Sequence, residues 1–488
     1  MKTILNFIDQ AFSGGGDFLA GGLEGIFENE PKLLEAKFGK ERELLSLWNH
    51  GFALGNKKFT TIQSRQNLLL FAPSGVGKTT VCLIPSAINI ASQNNKASMI
   101  INNPSGELTQ MTNYFLNQGY MVLKFDPNDP ENSIHYNPLS HIRSSSDIQK
   151  IASMIVGKSS KDANDFWSIK AIELIALLIE FLIDHSPKVN QNLANVFYLL
   201  QNLAGDEDLI SGLFSEKSTE KQWLAYKSVN ANSENTKASI ISSAIASLSF
   251  IGSDTILCDL TSVDTFDVAR MRKEKIVLFL NIPLNNMEYY KVLLGLFFEQ
   301  VFSEVFQSLP RGGDKDIYIL CDEMSSIPLP NLANVISNAR KFQLPILGVF
   351  QSENQIYENY GQYNAKTIIN NACRTYMTGL TDECERLEKM LGNYQYYEGK
   401  EDKKVLRSRP LMSSDEVRTM PKDRVLILPN GGMRPLYVKV KPYYKIGKYV
   451  RYMKMDMPEG HERQTFIRYQ AQYLSLDKYK NTLSDEQK

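Results

Sequence analysis

Cysteine is scarce in this chain of 488 residues: Cys82, Cys258, Cys321, Cys373 and Cys384 are scattered, odd in number and without C-x-x-C spacing. That scatter speaks against a disulfide framework or a zinc site and fits a reducing cytosol. Net charge is missing too. Basic and acidic residues number 54 each, which argues against nucleic-acid binding through a globally basic surface and leaves only a local patch or pore. Long hydrophobic runs are also absent. The best candidate, Ile172 to Ile183, carries Glu173 and Glu180 and is well short of the roughly 20 apolar residues that span a bilayer. The opening "MKTILNFIDQAFSGGG" holds one lysine and no long apolar core, so it does not read as a signal peptide. No internal repeat is visible. The expectation is a cytoplasmic protein.

What is present is an ordinary globular composition, 43% hydrophobic and 22% charged, in a length that suits two to four domains. "NLLLFA" reads as a buried strand ended by Pro73 and Gly75, and a helix is expected from Lys78. Strands are expected at 97–102 and 121–126, then again at 275–282, 316–323, 344–351 and 374–380. Between about Ser144 and Phe250 the apolar residues recur at helical spacing. The pattern predicts an α/β fold with a mostly parallel sheet and an inserted all-α domain.

Two motifs carry chemistry. "FAPSGVGKTT" places Ala72, Pro73, Ser74, Gly75, Val76, Gly77, Lys78, Thr79 and Thr80 between a strand and a helix, as in a phosphate-binding loop. Such a loop wraps phosphates with backbone N–H groups; its lysine reaches the β- and γ-phosphates and its Ser/Thr hydroxyl ligates Mg²⁺. Ala72 stands where the usual pattern has glycine, but Gly75, Gly77, Lys78 and Thr79 keep the chemistry. "IYILCDE" ends an apolar strand in Asp322 and Glu323, the pair expected to hold the Mg²⁺ hydration shell and to act as general base. Downstream, Arg340 lies on an expected helix and Gln351 ends an expected strand. The expected parts are an N-terminal arm (1–60), a nucleotide-binding domain in two pieces (61–143 and 255–445), an all-α insertion (144–254) and a C-terminal tail (446–488).

The order of these pieces resembles the type IV secretion coupling ATPases, the TraG/TraD-type proteins of conjugation, within the HerA/FtsK group of RecA-like motors. The resemblance runs from about Ala53 to Tyr444. It rests on "FAPSGVGKTTVCLIP", "NPSGEL", "FDPNDPENSIHYNPL", "DFW", the long block from Leu320 to Gly361, and "LMSSDEVRTMPKDRVLIL". It implies a RecA-like core, ATP with Mg²⁺ as cofactors, and hexamers with nucleotide sites at subunit interfaces. It also implies Arg340 as a finger acting in a neighbouring subunit and Gln351 as a γ-phosphate sensor. The cargo it implies is DNA with its relaxase, or a protein effector, passed to secretion or conjugation machinery.

Two departures stand out. Asn103 and Ser105 occupy positions where the family often has Asp and Lys, and the N-terminal transmembrane helices that most members carry are not seen. Membrane contact is then expected through a partner or through residues 1–30, whose apolar positions read either as a small amphipathic face or as an arm packed on the core. A HerA/FtsK-like DNA translocase and an ATP-binding adaptor stay open as alternatives. The basic and aromatic stretch Tyr437–Met455 reads as an edge strand with a solvated tail before a nucleic-acid surface, and Trp167 and Trp223 as core. His135 has no metal-spaced companions, so no metal beyond Mg²⁺ is expected.

Overall fold

The computed structural model describes residues 35–92, 97–157, 166–327, 329–399, 404–460 and 467–480. Short apolar runs form the strands β1 Leu68–Phe71, β2 Ser98–Asn102, β3 Met121–Phe125, β4 Ile276–Leu280, β5 Ile317–Cys321, β6 Ile346–Phe350 and β7 Cys373–Tyr376. Every residue of β1, β2, β4, β5 and β6 is buried. Runs without polar alternation belong to a parallel sheet covered on both faces. Two strands the sequence reading left unassigned or only partly assigned, β8 Arg424–Leu428 and β9 Leu436–Lys439, complete one edge. The order across the sheet is β9-β8-β7-β1-β6-β5-β2-β4-β3. Pairing is parallel throughout except at β7–β8 and β8–β9. The fold is α/β with a mostly parallel sheet, as the alternation of strands and helices predicts.

The pleat divides the core. Leu69, Phe71 and Ile100 face the side that is continuous with the helical insertion, while Leu68, Leu70, Met99 and Ile101 face the other. Truncating a fully buried one of these to alanine costs on the order of 2–5 kcal/mol.

The insertion leaves the sheet after β3 and returns before β4. Its longer helices are α1 Ser145–Gly157, α2 Phe166–His185, α3 Leu193–Gly205, α4 Glu207–Lys217, α5 Glu220–Asn230 and α6 Glu234–Ser247. Their starts are written in the sequence. Asn192, Asp206, Thr219 and Ser233 each accept from the backbone N–H three residues on, and Thr219 with Gln222 completes a capping box. Phe181, Phe214 and Tyr226 stack in series at 4.3 and 4.7 Å between centroids.

Two readings are corrected. Trp167 is not core: it is 40% exposed at the start of α2, beside exposed Phe166 and Ile169, because it lies on the first turn, away from the packed stripe. Trp223, by contrast, stacks on Tyr226 at 5.7 Å. The stretch after β9 is not a solvated tail. Gly447–Met453 is helical, Tyr449 is buried with its hydroxyl donating to the Gly55 carbonyl at 3.3 Å, and Tyr452 packs on Tyr114. Tyr449 and Tyr452 serve packing, while Tyr444 is exposed. Further on, residues 467–480 lie against the insertion. The apolar positions of residues 1–30, and Asp165, fall outside the described residues. Among the described residues no helix is long and apolar enough to cross a membrane.

Candidate nucleotide site

Adjacent parallel strands β1, β6, β5 and β2 end side by side, so the loops that follow them meet at the carboxyl edge of the sheet. In open α/β sheets this edge is where ligands bind. Ala72 stays attached to the strand: it is fully buried, and its N–H donates to the Phe350 carbonyl at 3.0 Å. A small buried side chain fits there, which explains the missing glycine. Pro73 is half-buried, Ser74 is exposed, and the half-buried Val76 packs against the core on the Leu68 and Leu70 face of the sheet.

Gly75 and Gly77 have φ of 79° and 95°, in the left-handed region that glycine enters freely. A Cβ at Gly75 would meet nothing within 4 Å, so the backbone angle and not crowding calls for glycine there. The Thr80 hydroxyl donates to the Gly77 carbonyl at 3.1 Å and closes the loop. A wide π-type turn, Thr79–Leu83, then leads into the helix Ile84–Ala91.

Lys78 points inward and is 8% exposed. Its Nζ lies 3.3 Å from Glu323 Oε2. The Thr79 hydroxyl donates to Asp322 Oδ2 at 3.2 Å. Burial pushes the Asp322 carboxyl up to about 6, against the opposing pull of the Thr79 hydrogen bond and the Lys78 charge. Gln351 Nε2 donates to Glu323 Oε1 at 2.8 Å, and the Ser325 hydroxyl donates to the same oxygen at 3.2 Å. Glu323 itself has φ 56° and ψ 59°, a left-handed backbone in a residue other than glycine. Such conformations cost about 1–3 kcal/mol and persist where surrounding contacts fix them. Here the Ser326 hydroxyl on the Glu323 carbonyl and the two donors on its carboxylate do so.

Arg340 is not brought to this cluster. It lies in the exposed turn after the helix Leu332–Asn338, and its guanidinium makes no hydrogen bond or ion pair among the described residues. Other residues join the site without having been expected. Asn102, at the end of β2, donates from Nδ2 to the Asp322 carbonyl at 2.9 Å, and its Oδ1 is buried without a hydrogen-bond partner among the described residues. Gln355 Oε1 accepts from the Gln351 N–H at 2.8 Å and fixes the turn that aims Gln351. A polar residue closing an apolar strand, the signal that marks Gln351, also marks Asn102.

Asn103 has a different task. It is buried, donates to Thr109 Oγ1 and Asn281 Oδ1 at 2.9 Å each, and accepts from the Leu108 N–H at 3.0 Å. Its carboxamide is spent on tying the loop 103–108 to the end of β4, while Ser105 is exposed.

The residues present fit a magnesium nucleoside triphosphate. A hydroxyl, a desolvated carboxylate and a spare carboxamide oxygen are the hard oxygen groups that Mg²⁺ takes, and a buried ammonium beside two left-handed glycines suits phosphate.

A family model described as "Type IV secretory system Conjugative DNA transfer" matches residues 22–481. VirD4 of Agrobacterium fabrum (strain C58) is 22% identical over 415 residues, covering 79% of this chain and 60% of that protein. VirD4 of Rhizobium rhizogenes is 22% identical over 413 residues, with the same coverage. The chain thus spans 60% of the length of these relatives. Among solved structures, unbound TrwBdeltaN70, a bacterial conjugative coupling protein, superposes with a TM-score of 0.64 at 17% identity over 82% of this chain and 90% of its own. The plasmid coupling protein TrwB in complex with ADP and Mg²⁺ gives a TM-score of 0.64 at 17% identity over 82% of this chain and 91% of its own. These likenesses concern the fold. With the family match extending over nearly the whole chain, the protein belongs to the type IV secretory system conjugative DNA transfer family.

Proposed function

We propose that the protein is an ATPase of the coupling type, which uses Mg²⁺-ATP to bring DNA with its attached protein, or a protein substrate, to a conjugation or secretion machine. The observation that carries this reading is the orientation of Glu323. Its carboxylate is held by Gln351 on one oxygen and Lys78 on the other. A site that only bound nucleotide would have no use for a carboxylate aimed in this way.

Lys78, Thr79 and the backbone of residues 74–79 would hold the triphosphate, and Thr79 and Asp322 the metal shell. Bound Mg²⁺ would neutralise charge on the transferring phosphoryl group. Lys78 forms an ion pair with Glu323. With Lys78 engaged by phosphate oxygens, Glu323 would be left to accept a proton from water, and Gln351 would keep it aligned. The TrwB likeness and the free guanidinium of Arg340 support a ring, a homo-hexamer, in which Arg340 reaches the site of the next copy. Contact with the membrane would then come through partners in the machine.

The test is Glu323→Gln. Hydrolysis is expected to fall at least a hundredfold, with ATP binding kept. Recovery of the tagged variant with ATP from its native cells should bring down DNA or secretion components. Unchanged hydrolysis would sink the catalytic assignment, and capture of neither class would sink the coupling role.

A further inference from the structure

Residues 467–476 run as an extended strap without regular structure, ending in a single helical turn at Asp477–Lys480. The strap crosses from the segment joining β3 to the insertion onto the insertion itself. It is held mostly by its backbone. The Ala471 N–H donates to Asp259 Oδ1 at 2.9 Å. The Gln472 carbonyl accepts from Asn190 Nδ2 at 2.9 Å and from Asn195 Nδ2 at 2.8 Å. The Leu474 N–H donates to Asn195 Oδ1 at 2.8 Å. One carboxamide therefore reads both a carbonyl and an N–H of the strap, as a neighbouring strand would.

Among the side chains, the rings of Tyr469 and Tyr473 lie 5.5 Å from His135 and 5.3 Å from Tyr198, and Leu474 is partly buried against the core. Leu476 and Tyr479 are buried against the insertion, and Arg468 and Lys478 pair with Asp259 and Glu216 at 3.3 and 2.6 Å. Most other strap side chains between 467 and 475 face solvent. The groove recognises an extended main chain, two basic groups facing two acids, and an aliphatic-x-x-aromatic anchor.

Asn195 is fully buried and Asn190 nearly so. Without a strap the Asn190 Nδ2 and the Asn195 Oδ1 would lose these bonds, while the Asn195 Nδ2 would keep Asn192 Oδ1 at 3.0 Å, and Leu476 and Tyr479 would leave their buried seats. Any chain that replaces the strap must restore these main-chain bonds, the two apolar anchors and the charges facing Asp259 and Glu216.

We propose that this groove is a peptide-binding site which the chain's own C-terminal strap fills in cis, and that its second occupant is a partner protein's extended basic segment ending in an aliphatic-x-x-aromatic anchor. The tethered strap competes at an effective concentration on the order of millimolar. Only a segment delivered at high local concentration displaces it. The proposal goes beyond the nucleotide chemistry and is read without ATP, so its failure and that of the ATPase reading are separable.

The probe is a synthetic peptide with the sequence of residues 467–480. In the unmodified full chain, excess peptide is expected to speed hydrogen exchange at the chain's own Ala471 and Leu474 amides; unchanged exchange at saturation overturns the proposal. The full chain carrying Leu476→Ala and Tyr479→Ala should bind dye-labelled peptide at least tenfold tighter than the unmodified chain. Adding Asn195→Leu should abolish that binding. No gain in the double variant, or binding that survives Asn195→Leu, overturns it as well. A peptide keeping Arg468, Tyr469, Tyr473, Leu474, Leu476, Lys478 and Tyr479, with alanine elsewhere, should compete within a few-fold. Its failure would restrict the groove to its own strap and overturn the partner reading, as would cross-linking of the strap into another copy's groove.

Discussion

Gln351 and Glu323 close the ends of two neighbouring strands, β6 and β5, with a 2.8 Å hydrogen bond from carboxamide to carboxylate. Glu323 owes its aim to this donor together with the longer Ser325 bond to the same oxygen, since Lys78 on the other oxygen has a competing role with phosphate. Gln351→Leu is therefore expected to lower kcat at least tenfold while KM for ATP changes less than threefold. Steady-state phosphate release measures both; a rise in KM with kcat intact would assign Gln351 to binding instead.

Asp322 carries its charge at a desolvation cost, its carboxyl having been pushed up to about 6. Without nucleotide at pH 7.5, Asp322→Asn removes that cost and should raise the melting temperature by several degrees, consistent with about 2–3 kcal/mol. The same change should weaken Mg²⁺-dependent nucleotide affinity. Calorimetric melting and nucleotide titration with and without Mg²⁺ read the two effects, and a lowered Tm would contradict the account.

Arg340 acts across a subunit boundary in the proposed ring, which gives a complementation test. Arg340→Ala and Glu323→Gln chains should each be inactive alone. Mixed, they form sites with an intact Glu323 from one copy and an intact Arg340 from the next, so hydrolysis returns in part. A mixture as inactive as its components would place Arg340 outside the reaction.

Asn103→Asp restores the residue common in the family but puts a carboxylate where two donated hydrogen bonds now hold Thr109 and Asn281. Loss of the donors in a buried position should destabilise the fold by about 1–3 kcal/mol. ATP affinity should stay within a factor of two. Denaturant melts and nucleotide binding check this together.

Burial lowers the pKa of His135, with Asp259 opposing and Arg468 reinforcing the shift. Its neutral Nε2 accepts from the Tyr469 N–H at 3.4 Å. A depressed folded value means that stability is full above the ordinary histidine range and is lost as pH falls through it. Hydrogen exchange at Tyr469 should accelerate, after correction for intrinsic rates, as pH drops from 7.5 to 5.5. His135→Gln should flatten that dependence.

Much of this was legible in the sequence, for physical reasons. Strands buried on both faces, such as Ile317–Cys321, announce themselves as unbroken apolar runs, and Gly75 and Gly77 mark backbone that only glycine enters easily. The hairpin Asn393–Glu398 with Val405–Pro410 was not seen, because most of its residues are exposed and it shows no single apolar face. The left-handed backbone of Glu323 and the structural use of Asn103 depend on contacts between distant segments, which no local pattern encodes. Arg340 was placed on a helix from its neighbours, but the helix stops at Asn338.

The edge strand β3 pairs only with β4, Met121 standing opposite Ile276. At synthesis rates of about 5–20 residues per second, the roughly 150 residues between them delay that pairing by about 8–30 s. Through that interval β3 is an unpaired strand, open to association with other nascent chains. Meanwhile the helices of the insertion, rich in local contacts, can fold on their own much faster. The interruption of the sheet thus sets an order of assembly: the helical body forms first, and the sheet closes over it last.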